Sequence, residues 1–318
     1  MTQAYFESKV DRYDRAYRMI RGRTKPEEVL YTDSSARILS RSRGFLGGFD
    51  YTMQLQVGCP GGCLFCYVSS APRLAPADVR QRWGFEVRVK KDIPSQLARH
   101  LSRGELADRT VYWSGVTDPY AIRRSVTQAV WQTFNAVPTE LRPRRIVIQS
   151  RYRPARDRDL IAEYANTTTA SDGGPSVVIS FSIGTDRNDL IHSWERATPT
   201  FEQRMTSIKK LRERGIFVIP TLSPFGVWND LELALVQFRD LGVSFITVLF
   251  LKKKTPTANT PPDFLKHVAE SYPFLLEPKW QQEQLRKMRE RVGQDRVLAG
   301  QKGFSSLVNP PLTDPIPE

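Results

Sequence analysis

The chain opens on apolar positions spaced by three and four. Phe6, Val10, Tyr13, Tyr17 and Ile20 predict an amphipathic helix over 5–21. Lys9, Arg12, Arg15, Arg18 and Arg21 recur every three residues and drift around its polar side, diluted by Asp11 and Asp14. Such a helix packs on a domain and shows a solvated face. Residues 22–49 hold no sustained period and read as irregular, with Arg37, Arg41 and Arg43 ahead of a Gly-rich stretch at 44–48. From residue 50 the pattern changes to short apolar or alternating runs at 51–57, 110–113, 145–149, 177–182, 216–221 and 245–251, which predict six strands. Helical patterns fall between them: 125–136, a short helix around 160–164, and one opening at Thr198-Pro199 with Thr198 as N-cap. The last carries the stripe Phe201, Met205, Ile208 and Leu211 and stops at Gly215. A further helix is expected from an Asn229 cap to Leu241, followed by Gly242.

Strands alternating with helices imply a parallel sheet. Six units are too few for the closed eightfold barrel. The expected fold is therefore α/β, a partial (β/α)6 TIM-like barrel. Its core is expected at 50–251, with an N-terminal extension at 1–49 and a C-terminal extension at 252–318. Within the latter, 252–278 is Pro-rich and reads as irregular, 281–291 reads as a charged helix, and the tail beyond Gly303 reads as loosely ordered. No internal repeat is visible. Sites in such sheets lie at the C-terminal ends of the strands.

Composition narrows the setting. Apolar runs such as 245–251 are far too short to span a bilayer. No apolar signal segment follows Met1. The expectation is a cytoplasmic protein without a membrane partner. Three cysteines cannot pair off, so a disulfide framework is not expected. The net charge of +13 suggests a polyanionic partner such as nucleic acid; the alternative is a soluble enzyme that is merely basic.

All three cysteines fall within eight residues, as Cys59-x3-Cys63-x2-Cys66, just after the first barrel strand. Three thiolates on a Gly-rich loop can hold a soft metal centre. In a [4Fe–4S] cluster, three cysteines leave one iron open, which marks a reactive site, whereas a filled position marks a structural one. Gly61 and Gly62 let the backbone wrap closely. Zinc would need a fourth ligand from His100, His192 or His267, none of which has finger-like spacing to the cysteines. Cysteines that simply pack are the remaining reading.

With Phe65 before the third cysteine, the motif resembles the Cys-x3-Cys-x-aromatic-Cys signature of radical S-adenosylmethionine (SAM) enzymes. Further segments resemble the spore photoproduct lyase branch, often labelled DNA repair photolyase-like. They are Gly115-Val116-Thr117-Asp118-Pro119-Tyr120, Gln149-Ser150-Arg151 with Arg156-Asp157, Ser180-Phe181-Ser182-Ile183-Gly184, and Trp194-Glu195, Thr198-Pro199 and Arg204. The resemblance covers roughly 40–250. It implies a [4Fe–4S] cluster on Cys59, Cys63 and Cys66 whose open iron takes the amino and carboxylate groups of SAM. Reductive cleavage of SAM to a 5′-deoxyadenosyl radical follows, with an external reductant of flavodoxin or ferredoxin type. The cofactors carry that chemistry and the protein orients them. Phe65 and Tyr67 would lie near the adenine. Ser114, Gly115, Thr117 and Asp118 would line the methionine end, with Asp118 and Ser114 serving SAM and not the fold. Ser150, Arg151 and Ser182 would meet the carboxylate or ribose, and Ser180 shares a strand face with Ser182. Each serine could instead bond a nearby backbone group.

Spore photoproduct lyase uses a further cysteine as hydrogen-atom donor, and this chain has no fourth. Tyr67, Tyr112 or Tyr120 are the candidate donors in its place, with return of the hydrogen by 5′-deoxyadenosine as the alternative. For the substrate, Arg142, Arg144, Arg145, Arg151, Arg153, Arg156 and Arg158 crowd a 17-residue stretch, softened by Glu140, Asp157 and Asp159. Lys252, Lys253 and Lys254 follow the sixth strand. Such side chains suit phosphate contacts, and a nucleic acid or nucleotide substrate is expected. A peptide or small metabolite is the alternative substrate, and a non-catalytic iron–sulfur module the alternative class.

Overall fold

A computed structural model describes residues 3–251, 260–311 and 315–316, with side chains from residue 12. The chain begins with helix α1 (Gln3–Arg21). Short strands β1 (Leu30–Ser34), β2 (Leu39–Arg41), β3 (Tyr51–Met53) and β4 (Gln56–Val57) follow. Next come α2 (Ala77–Gln81), β5 (Glu86–Lys90) and α3 (Ile93–Ser102). The barrel continues through β6 (Thr110–Trp113), α4 (Arg124–Ala136), β7 (Arg145–Ser150), α5 (Arg158–Thr167) and β8 (Val177–Ser182). It runs on through α6 (Asn188–Trp194), α7 (Phe201–Arg212), β9 (Phe217–Leu222), α8 (Leu231–Asp240) and β10 (Ile246–Val248). The C-terminal part holds α9 (Pro262–Ser271), α10 (Pro278–Val292), β11 (Val297–Ala299) and α11 (Gly300–Ser305).

The main sheet has eight strands in the order β11-β10-β9-β8-β7-β6-β3-β2. The six expected strands lie side by side and parallel, as an open α/β barrel requires. β11 extends the parallel array and β2 closes the other edge antiparallel. The strands are apolar on both faces because both are covered. Ile146, Ile148, Val177 and Ile179 face a helix-side core with Trp131, Phe134 and Tyr164. Val147, Val178, Ile219 and Phe245 form the inner face with Tyr112, closed at one end by Phe304 and Leu307. Along each strand the inner row turns polar toward the C-terminal end, at Gln149, Ser180, Ser182, Thr221 and Thr247.

Several expectations are corrected. The run 51–57 is not one strand: β3 joins the barrel, while β4 pairs with β5 in a separate sheet of order β1-β5-β4. The stretch 22–49 contains β1 and β2, and the last barrel strand is shorter than 245–251. Thr200, not Thr198, caps α7, in a reciprocal box with Gln203 at 3.3 Å each way; Thr198 instead turns its hydroxyl to Glu195. Asp230, not Asn229, caps α8, accepting from the Leu233 amide at 2.8 Å. Within 252–278 the prolines start a helix, with Pro262 in the first turn of α9. The tail beyond Gly303 is anchored, since Phe304 and Leu307 are buried against the inner strands.

Candidate active site

The cysteine loop leaves β4 and is pinned by its backbone from three sides. From α1, the Tyr13 hydroxyl donates to the Gly62 carbonyl at 2.6 Å and Arg21 to the Leu64 carbonyl at 2.8 Å. From the turn after α6, the Arg196 amide donates to Gly61 O at 2.8 Å and its guanidinium to Pro60 O at 2.7 Å. The Leu64 amide donates to Trp194 O at 2.9 Å. Gly62 has φ +57°, and a β-carbon there would stand 2.8 Å from the Tyr13 hydroxyl, so both conformation and space require glycine. Cys59 and Cys63 are buried and Cys66 partly so. The loop returns to the barrel through the Tyr67 hydroxyl, which donates to Gly115 O at 2.7 Å.

Gly115 lies beyond β6. A β-carbon there would meet the Gln54 and Thr52 side chains at 2.6 and 2.7 Å, so the strand end is closed against β3. Ser114 before it holds φ +144°, a strained conformation for a side-chain-bearing residue, and bonds the Thr117 carbonyl at 3.1 Å. Asp118 accepts from the Tyr120 amide at 2.9 Å, the Ser150 hydroxyl at 2.8 Å and the Arg151 amide at 2.7 Å. This corrects the expectation that Asp118 does not serve the fold: its carboxylate ties the ends of β6 and β7 together. Burial raises its pKa against those three hydrogen bonds.

Arg151 carries the link back to the cysteines. Its guanidinium lies 4.9 Å over the Phe65 ring and donates to Glu195 at 2.7 Å. Glu195 is gripped on its other oxygen by Arg204 and Thr198. Arg204, with no exposed side-chain surface, also bonds Ser182 O at 3.2 Å and Pro199 O at 3.0 Å. Burial opposes the Glu195 charge, but Arg204, Arg151 and the Thr198 hydroxyl bring its pKa down to about 2. On the inner face, Tyr112 bonds Gln149, whose amide donates to Ser182 at 3.3 Å. Ser180 shares a 2.6 Å hydrogen bond with Thr221, which accepts from Thr247 at 2.7 Å.

The donor set suits an iron–sulfur cluster. Burial pushes the Cys59 thiol up to about 12, with the Asp118 charge adding to it, and raises Cys63 and Cys66 as well. Three thiols so placed take up a cation when they are to exist as thiolates. A β-carbon on Gly61 would sit 3.4 Å from the Cys59 sulfur and 3.1 Å from the Tyr152 hydroxyl. That hydroxyl is buried without a hydrogen-bond partner among the described residues. Among the described residues no three His, Cys, Asp or Glu side chains are gathered as a single ion requires. In a cluster each cysteine binds its own iron, so the thiolates need not converge on one point.

The strand ends thus bring together the cysteine loop, Phe65, Tyr67, Ser114, Gly115, Thr117, Asp118, Ser150, Arg151 and Ser182, with Ser180 one step lower on the inner wall. Tyr120 is not among them: its ring lies in the helix-side core beside Trp113, and its hydroxyl accepts from Trp131 at 2.9 Å. Tyr112 is on the inner face. Tyr13, Tyr152 and Thr221 escape a motif-based reading, and Gln149 stands in a quoted motif without a role. Gln149 and Thr221 could have been found by continuing the alternation of Val147 and Ile219. Of the arginine cluster, Arg142 and Arg145 are buried, bonded to Val137 O at 3.0 Å and Pro175 O at 2.7 Å. Arg145 is the first residue of β7 and Arg142 lies just before it, so both stand at the opposite end of the strand from the cysteines and do not form a rim. Lys252, Lys253 and Lys254 lie outside the described residues.

Fold and site together define an open α/β barrel with a three-cysteine loop at the C-terminal strand ends. The chain shares this fold with spore photoproduct lyase. A point-mutant structure of that protein gives a TM-score of 0.54 at 14% identity, covering 85% of this chain and 81% of that one. The same lyase complexed with dinucleoside spore photoproduct gives 0.54 at 15% identity, again covering 85% and 81%. An uncharacterized protein of Methanocaldococcus jannaschii is 24% identical over 178 residues, which span 56% of this chain and 61% of that protein. No protein-family profile matches the chain.

Proposed function

We propose that the chain is a radical SAM enzyme acting on a nucleic acid or nucleotide. The observation that carries the reading is the position of Cys59, Cys63 and Cys66 on a buried loop beside the C-terminal ends of β6 and β7. No fourth cysteine exists in the chain to fill a last coordination position. When bound, a [4Fe–4S] cluster supplies the electron that cleaves SAM into methionine and a 5′-deoxyadenosyl radical, with a flavodoxin- or ferredoxin-type carrier as its source. The chain's own residues hold and orient. Tyr67 closes the loop onto Gly115. Arg151, fixed by Glu195, presents a cation beside Phe65 for the SAM carboxylate. Asp118 keeps Ser150 and the Arg151 backbone in register. Tyr67 and Tyr112 are the candidate hydrogen-atom donors. The net charge of +13 supports a polyanionic substrate, as does a shared fold with a lyase whose structure holds a dinucleoside photoproduct. The internal commitment of Arg142 and Arg145 favours the second reading, a peptide or small metabolite.

Anaerobic reconstitution tests the proposal. Iron should reach about four per chain, with an EPR signal altered by SAM and 5′-deoxyadenosine formed on reduction. Alanine at any one of the three cysteines should remove all three readouts. Stoichiometric zinc with no iron uptake would overturn the reading.

A further inference from the structure

A pocket of about 250 Å³ lies on the α1 side of the cysteine loop. None of its lining residues is a cysteine, and none belongs to the strand ends assigned above to SAM. Its walls come from elements far apart in sequence: Tyr17 and Arg21 of α1, Arg23 just after it, Arg80 of α2, Trp83 before β5, and Gly62 and Leu64 of the loop itself. We propose that this pocket is a second binding site, for a phosphate group.

The lining is rich in donors. Arg21, Arg23 and Arg80 line the pocket with a single carboxylate, Asp263, and Arg23 also bonds the Gln81 carbonyl. Arg21 already neutralises that carboxylate through two hydrogen bonds of 2.8 and 2.7 Å, so the excess charge is positive. Among the described residues Arg80 bonds the protein through Nε alone, to Ala75 O at 3.1 Å, which leaves the two terminal nitrogens of its fork for a ligand. Trp83 is 6% exposed, and its indole N–H is buried with no partner among the described residues. An indole N–H can only donate, and so can a guanidinium. A buried donor left unmatched is costly, and an oxyanion is the acceptor that suits the open Arg80 fork and the unmatched indole N–H. Guanidinium forks match the oxygens of a phosphate in particular. The volume falls below the ~300–1,000 Å³ of a site for a whole drug-sized ligand. The pocket has room for a phosphoryl group together with part of the ligand that carries it. Either a terminal phosphate monoester or an internal phosphodiester supplies that chemistry.

The full-length chain is titrated by calorimetry with inorganic phosphate, with a 5′-phosphorylated oligonucleotide and with its unphosphorylated twin, alongside Trp83→Phe and Arg80→Gln. Neither SAM nor reductant is needed, so the outcome does not depend on the radical reading. Saturable one-to-one phosphate binding is expected. It should weaken about tenfold or more in each variant, the size of one hydrogen bond to a charged group. Preference for the 5′-phosphorylated strand assigns a terminal phosphate. Equal binding of both strands, lost alike in both variants, assigns a phosphodiester. Should Trp83→Phe fail to fold by circular dichroism, Arg80→Gln carries the test. Absence of saturable binding by all three probes, or binding that folded variants retain unchanged, overturns the site.

Discussion

Glu195 is the residue on which the site's charge balance turns. Its side chain is 5% exposed and bridges Arg204, which is fully buried, to Arg151, which is 16% exposed. A carboxylate brought from the ordinary 4.5 to about 2 contributes stability when ionised. That contribution is fully present above pH 4.5 and is lost as the pH falls toward 2. The shift corresponds to about 3 kcal/mol. Glu195→Gln should therefore cost about 3–5 kcal/mol at neutral pH, because it leaves two buried guanidinia short of their partner. The acid limb of the stability curve between pH 4.5 and 2 should flatten as well. Urea unfolding across that range checks both, and a variant with an unchanged acid limb would show that Glu195 is not the titrating group. The sequence made Glu195, Thr198 and Arg204 visible as a pattern but gave them no job. Their job rests on three side chains meeting across a turn and the first turns of a helix, which spacing does not reveal.

At the scale of elements, α1 does more than cover a surface. Its apolar stripe was legible, and Tyr13, Tyr17 and Ile20 are buried as the period predicts. Arg21 looked like one more cation on a solvated face, yet it reaches the Leu64 carbonyl and Asp263. The sequence cannot show such a reach, because an arginine at the end of a helix has many possible partners. Elements missed by periodicity were hidden for separate physical reasons. β1 is exposed along most of its length and so has no alternation to read, and β4 is two residues long. α9 was hidden by prolines that suit a helix start as well as a loop. Tyr13→Phe isolates the contribution of α1, since it keeps the packed ring and removes one bond to Gly62 O. A buried carbonyl left without that donor costs about 1–3 kcal/mol. The reconstituted variant should release iron to a chelator several-fold faster than wild type while its helix content stays the same. Equal release rates would show that the loop is held without α1.

For the whole molecule, the net charge is not spread as the linear cluster suggested. Arg142 and Arg145 are consumed at the far end of β7, and Arg151 is held between Glu195 and the Phe65 ring. Arg153 stays exposed after the strand, with one bond to Gln203 at 3.2 Å. If a polynucleotide is the substrate, its phosphates must be met by such exposed cations and by Lys252, Lys253 and Lys254, which follow the last expected strand in sequence. Binding to single- or double-stranded nucleic acid should then fall steeply with salt, by about 0.7–0.9 log units of affinity per log unit of salt for each phosphate neutralised. Changing the three lysines to glutamine together should lower affinity and reduce that slope by about two to three if each meets a phosphate. SAM cleavage without substrate should stay at the wild-type rate, since none of the three is placed in the cofactor site. A slope identical to wild type would assign the lysines to bulk solvent. Absence of binding at low salt would leave the peptide or small-molecule substrate as the reading to pursue.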